Sequence, residues 1–213
     1  MVRFVTFEGG DGTGKTTQLK ALESYLGSRG KSCLVTREPG GTELGMMLRR
    51  VLLEAGGAAI APSSELFLYL ADRAQHVSEV IRPALAAGRI VLCDRFTDST
   101  LAYQGYGRGL DLALLRQFNS VADDGTCPDL TLLFDCPIAV GLGRTAKRQA
   151  QSQAGAPQED RFEREKLEFH EKVRAGFLDL ARQEPGRFRI IDAARPVAEV
   201  SLEIRGIVDE ALR

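Results

Sequence analysis

The residues Gly9-Gly10-Asp11-Gly12-Thr13-Gly14-Lys15-Thr16 carry the spacing G-x-x-x-x-G-K-[ST]. Glycines let a chain turn tightly enough for successive N–H groups to face one anion, and a helix opening at Lys15 adds the positive end of its dipole. The lysine then reaches the β- and γ-phosphates of a nucleoside triphosphate. The Thr16 hydroxyl offers an oxygen to Mg²⁺, which bridges phosphate oxygens and keeps most of its waters. On this reading Gly9 to Thr17 cradle the phosphates, and Lys15 acts on the group being transferred. A glycine-rich turn without ligand would not explain a lysine and a hydroxyl residue at these two places.

Further candidates stand just beyond two predicted strands: Arg37 in Thr36-Arg37-Glu38-Pro39-Gly40-Gly41-Thr42, and Arg95 in Asp94-Arg95-Phe96. Ligands collect at the carboxyl ends of strands in open α/β sheets. Joining two phosphorylated nucleotides brings anions together, so both must be neutralised while attacking and leaving oxygens lie in line. The alternative for both arginines is a structural pairing with Asp94 or Glu38. Tyr69 and Arg73 are four apart on one helical face, suited either to plain core packing or to a stacking ring beside a hydrogen-bond donor. Asp135 ends another strand and is read as structural rather than as a metal ligand.

The elements that must position these residues are legible as short apolar runs at Arg3–Phe7, Cys33–Thr36, Ile90–Cys93, Leu130–Phe134 and Phe188–Ile191. They are too brief for helices and lack strict alternation, as parallel strands covered on both faces do. Leu19, Leu22 and Leu26 fall at helical spacing before Gly27 and Gly30, and Leu66, Leu70, Val77 and Ile81 continue a similar stripe before Pro83. Alternating strands and helices predict an α/β fold with a parallel sheet.

At 213 residues the chain suits one large domain, spanning 1–213. A net charge of −1 provides no field to hold it to nucleic acid or an anionic membrane, and no apolar run approaches the roughly 20 residues that cross a bilayer. The chain is expected to begin its mature form near Met1, with no signal peptide. Cys33, Cys93, Cys127 and Cys136 form no C-x-x-C pair and read as reduced packing residues, which fits the cytoplasm. The phosphate loop is shared by ATPases, GTPase switches and small-molecule kinases. A guanine-reading Asn-Lys-x-Asp tetrapeptide is absent from the sequence, and length and charge offer no basic track for a nucleic-acid motor.

Four segments together resemble the thymidylate kinase family: Phe7-Glu8-Gly9, Thr36 to Thr42, Leu66-Phe67-Leu68-Tyr69-Leu70-Ala71-Asp72-Arg73, and Asp94-Arg95-Phe96 through Ala102-Tyr103-Gln104-Gly105. The resemblance runs from Val2 to at least Ala193. It implies a P-loop kinase fold, with a five-stranded parallel sheet flanked by helices on both faces. It further implies ATP as donor, Mg²⁺, dTMP as acceptor and a homodimer. By resemblance Arg95 and Arg37 hold the acceptor phosphate, and Asp94 joins the Mg²⁺ and water network. Tyr69 stacks on the base, although the family usually has Phe there, and Arg73 donates to a carbonyl that cytosine replaces with an amine. Thr100 lies at the base edge with Gln104 assisting, Tyr103 crowds the sugar 2′ position, and Asp11 lies near the 3′-hydroxyl or its metal. Kinases for another pyrimidine monophosphate, and deoxynucleoside kinases, are the competing enzymes.

One branch of the family carries an arginine inside its phosphate loop, whereas this chain has Gly12 there and resembles the bacterial branch with a basic lid. Arg144, Lys147 and Arg148 share one helical face before Gln149–Gln158, a polar stretch with Gly and Pro but no large apolar residue. That stretch is either a surface loop or part of a lid at 143–161. Arg144 and Arg148 are the expected suppliers of transition-state charge, with Arg161, which Glu165 could neutralise, a weaker candidate.

Overall fold

The computed structural model describes residues 2–53, 59–151 and 161–213. Five strands, β1 (Phe4–Gly9), β2 (Cys33–Arg37), β3 (Ile90–Asp94), β4 (Leu130–Asp135) and β5 (Phe188–Asp192), form one parallel sheet in the order β2-β3-β1-β4-β5. Each strand runs one or two residues past the apolar run that announces it, into Gly9, Arg37, Asp94, Asp135 and Asp192. The parallel ladder keeps pairing backbone groups whatever the side chains, so the polar residues at the carboxyl edge still belong to strands. Register sets Asp94 beside both Phe7 and Arg37, and Gly9 beside Phe134.

Helices cover both faces. Alternate strand residues point to opposite sides, so Val5, Phe7, Leu92, Leu132 and Phe134 pack against α1 (Lys15–Ser28) and α9 (Val197–Ala211), meeting Leu19, Leu22, Leu26, Val200, Ile204 and Val208. On the other face Leu133 and Phe188 meet Leu66 and Leu70 of α3 (Pro62–His76), Leu115 of α6 (Leu112–Ala122) and Phe169, Val173 and Phe177 of α8 (Leu167–Gln183). The remaining helices are α2 (Glu43–Leu53), α4 (Arg82–Ala86), α5 (Thr97–Thr100) and α7 (Ile138–Gln151).

Two wide π turns interrupt the regular helices. Val77–Ile81 carries α3 directly into α4, so Pro83 does not stop the helix as its place in the stripe suggests. It sits in the first turn of α4, where a missing N–H costs nothing. Leu101–Gly107 follows α5, and the residues 101–105 are all buried. The wide turn lets neighbouring Tyr103 and Gln104 both face inward, 7% and 2% exposed. Among the described residues no helix is long and apolar enough to cross a membrane.

Candidate active site

The phosphate loop lies at the carboxyl edge, between β1 and α1. Gly12 has φ +70°, and a Cβ there would stand 2.1 Å from the carbonyl oxygen of Gly141 on α7; a Cβ on Gly141 would meet the Asp11 carbonyl at 2.5 Å. Loop and helix therefore touch backbone to backbone, which also explains why this loop carries no arginine at that place. Gly14 precedes α1 with no side-chain cap, and no acidic residue stands in the first helical turn. The first N–H groups of α1 are thus left for an anion.

Lys15 curls over the loop, its Nζ donating to the carbonyls of Gly9 at 3.0 Å and Gly10 at 2.7 Å and to Thr13 Oγ1 at 3.3 Å. Burial and the nearby Arg95 push its amine down to about 8. Thr16 Oγ1 donates to Asp94 Oδ2 at 3.0 Å, joining a hydroxyl and a carboxylate at the mouth of the loop. Thr17 continues the helix, its N–H bonded to Gly14 O.

Arg95 has a left-handed backbone, φ 72°. Its Nη1 donates to Gly9 O at 3.0 Å and Ser99 Oγ at 3.2 Å, and its Nη2 to Asp11 Oδ1 at 2.7 Å and Tyr103 Oη at 3.1 Å. Tyr103 in turn donates to Asp11 Oδ2 at 3.0 Å. Burial raises the Asp11 carboxyl, but Arg95, Lys15 and the Tyr103 hydroxyl more than reverse this and leave it below its usual range. Glu8, fully buried, accepts from the Phe96 N–H at 2.7 Å and the Ser99 hydroxyl at 2.6 Å and so ties down the turn that carries Arg95. Burial, reinforced by Asp98, pushes Glu8 up to about 8.

Arg73 is 1% exposed. Its Nε donates to Glu38 at 2.9 Å, and its Nη1 to Thr100 Oγ1 at 3.0 Å and Asn119 Oδ1 at 2.7 Å, with the guanidinium 5.1 Å from the Phe96 ring centroid. Nη2 has no hydrogen bond to any described residue. Tyr69, one helical turn earlier, is half-buried against the second core. Neither arginine after the strands pairs with Asp94 or Glu38: Glu38 holds Arg73 and His76, Arg95 pairs instead with Asp11, and Arg37 is exposed.

Gln104 donates through Nε2 to Glu65 Oε1 at 2.8 Å. Arg161 also reaches Glu65 and bonds the Leu52 carbonyl at 3.1 Å, while Glu165 is taken by Arg108, correcting the pairing of Arg161 with Glu165. Asp135 gives both oxygens to Arg174, at 2.6 and 2.8 Å. Arg144 Nη1 donates to Ala193 O at 2.8 Å, just past β5. Residues 152–160 of the expected lid and the side chain of Arg148 lie outside the described residues.

The sequence reading thus missed Glu8, Glu38, Glu65 and Asn119, all at most 4% exposed. Glu8 and Glu38 stand inside the quoted segments, and a carboxylate beside arginines is the signal that could have marked them; Glu65 and Asn119 had none.

The family model described as thymidylate kinase matches residues 7–204. A thymidylate kinase of Desulfovibrio desulfuricans is 55% identical over 210 residues, covering 99% of this chain and 96% of its own, and one of Solidesulfovibrio magneticus is 54% identical over 209 residues, covering 98% and 100%. The crystal structure of thymidylate kinase from Ehrlichia chaffeensis superposes with a TM-score of 0.76 at 35% identity, covering 97% of each chain. The same five-stranded parallel sheet, an anion-ready loop and matches over nearly the full length lead to one conclusion: the chain belongs to the thymidylate kinase family.

Proposed function

We propose that the protein transfers the γ-phosphoryl group of ATP to the phosphate of dTMP, releasing dTDP and ADP, in the route that supplies dTTP for DNA synthesis. The observation that carries this reading is the convergence of Lys15 Nζ and Arg95 Nη1 on one carbonyl, Gly9 O, each at 3.0 Å. Two cations from different loops meet where a donor and an acceptor phosphate would lie side by side, and their repulsion is relieved when those anions arrive. Gly9 to Thr17 and the N–H groups of α1 take the ATP phosphates. Arg95 and Arg37 take the dTMP phosphate, Tyr69 and Arg73 with Thr100 and Gln104 its base, and Tyr103 and Asp11 its sugar.

Thr16 Oγ1 and Asp94 are hard oxygen donors that suit Mg²⁺, Asp94 acting directly or through water. Bound there with ATP, the ion would neutralise charge on the β- and γ-phosphate oxygens. Arg144 and Arg148 supply the remaining charge from α7, Arg144 by leaving Ala193. Single-turnover transfer in Arg144→Ala and Arg148→Ala tests this; near-normal rates in both would remove the lid from the chemistry.

The acting unit is a homodimer. Met46, Met47 and Val51 of α2, Phe67 of α3 and Leu114 and Val121 of α6 are exposed large apolar residues on three helices, with α3 packed against both neighbours. The described cysteines are all free, which suits the cytoplasm. An acceptor panel of dTMP, dUMP, dCMP, UMP and thymidine with ATP and Mg²⁺ tests the function directly. Preference for thymidine or UMP over dTMP would overturn it.

A further inference from the structure

We propose that Glu65 is a positioning residue for the acceptor base, acting through the amide of Gln104; this rests on dTMP being the acceptor. The Glu65 carboxylate is 1% exposed, and three side chains converge on it. Gln104 Nε2 donates to Oε1 at 2.8 Å, Arg108 Nε and Nη2 reach Oε1 and Oε2 at 3.3 and 3.2 Å, and Arg161 Nη2 reaches Oε2. A carboxylate accepts and does not donate, so the amide nitrogen of Gln104 must face Glu65 and its carbonyl oxygen must face away. Without Glu65 the groups left on that side, Arg108 and Arg161, only donate and would not hold the amide nitrogen toward them.

Gln104 lies four residues after Thr100 on a continuous helical path, and Thr100 bonds Arg73. The Oε1 of Gln104 accepts no hydrogen bond from the described residues. An acceptor fixed there suits a pyrimidine N3–H, which thymine carries and cytosine lacks, while Arg73 Nη2 suits the neighbouring carbonyl. Glu65 thereby holds an acceptor and Arg73 a donor against the base edge, and cytosine reverses both.

The test compares Glu65→Gln, Glu65→Asp, Gln104→Met and the double variant of Glu65→Gln with Gln104→Met. Arg108→Gln removes a partner of Glu65 without touching the amide and serves as the structural comparison. The readouts are kcat and KM for dTMP and dCMP, KM for ATP, and melting temperature. Glu65→Gln should lower the dTMP-to-dCMP ratio of kcat/KM about fivefold, mainly through the KM for dTMP, with KM for ATP unchanged. Gln104→Met should do the same, and the double variant should fall no further, as expected for two residues acting as one unit. Arg108→Gln should lower the melting temperature while keeping the ratio within about twofold. An unchanged ratio in folded Glu65→Gln, additive losses, or an equal change in Arg108→Gln overturns the role. If Glu65→Gln fails to fold, Glu65→Asp decides in the same terms, since its shortened carboxylate no longer reaches the amide. A wild-type protein inactive on dTMP overturns the function itself and is seen before any variant is compared.

Discussion

The phosphate loop and the wall proposed for the acceptor base are built from different materials. The loop is made of backbone: glycines, N–H groups and one lysine within eight residues of sequence. The wall is made of side chains, with Arg73 bonded to Glu38, Thr100 and Asn119, residues 35, 27 and 46 positions away. A backbone device needs room and tolerates little bulk, whereas a side-chain device needs partners and tolerates no missing one. The first should fail in activity with the fold intact, the second in stability and specificity together.

The sharpest break is Gly12→Ala. Its methyl would overlap Gly141 O, so the loop must shift, and a displacement near 1 Å in a positioning element costs on the order of a hundredfold in rate. kcat/KM should fall by about that much while circular dichroism stays unchanged; retained activity would show that the loop can move aside. Arg73→Met tests the wall. Among the described residues it leaves Glu38 with only His76 in a buried site, and breaking such a pair costs about 3–5 kcal/mol, so urea unfolding should move to markedly lower denaturant. A loss confined to the KM for dTMP would mean that the wall is no more a structural network than the loop is.

Smaller effects lie where the regions meet. Tyr103 Oη joins Arg95 of one loop to Asp11 of the other, so Tyr103→Phe should raise the KM for dTMP several-fold, in line with about 1 kcal/mol for one hydrogen bond, with little change in unfolding. The smallest test is of pH. The folded-state pKa of Glu8 is raised from 4.5 to about 8, so the native state binds more protons between these values. The stability this contributes is present below 4.5 and is lost as pH rises toward 8. Melting temperature should decline across pH 5–8 more steeply in the wild type than in Glu8→Gln, and parallel profiles would deny Glu8 any part.

The same contrast decides what could be read in advance. The five strands and the phosphate loop were legible because each is local: an apolar run, or a fixed spacing of glycine, lysine and hydroxyl. The convergence of Arg95, Asp11 and Tyr103 came through resemblance to a family, since residues 84 and 92 apart leave no periodic trace. Glu65 was invisible for the same reason. It sits on α3 like any helix-forming glutamate, and only the fold brings Arg108, Gln104 and Arg161 to it from 39 to 96 positions away. Pro83 shows the opposite error, a strong local signal overridden because the preceding wide turn lets the helix restart around it.

The meeting of Gly12 and Gly141 has a consequence for how the sequence can change. Most packing clashes have suppressors, because trimming the neighbouring side chain relieves them. Here the obstacle on each side is a carbonyl, Gly141 O for one residue and Asp11 O for the other, so there is no side chain to trim. Replacement at either glycine should have no single-substitution revertant at the opposing position, and relief would require the start of α7 to be rebuilt as a segment. Variation in the phosphate loop at this point is therefore tied to insertion, deletion or exchange at the start of α7 rather than to point change.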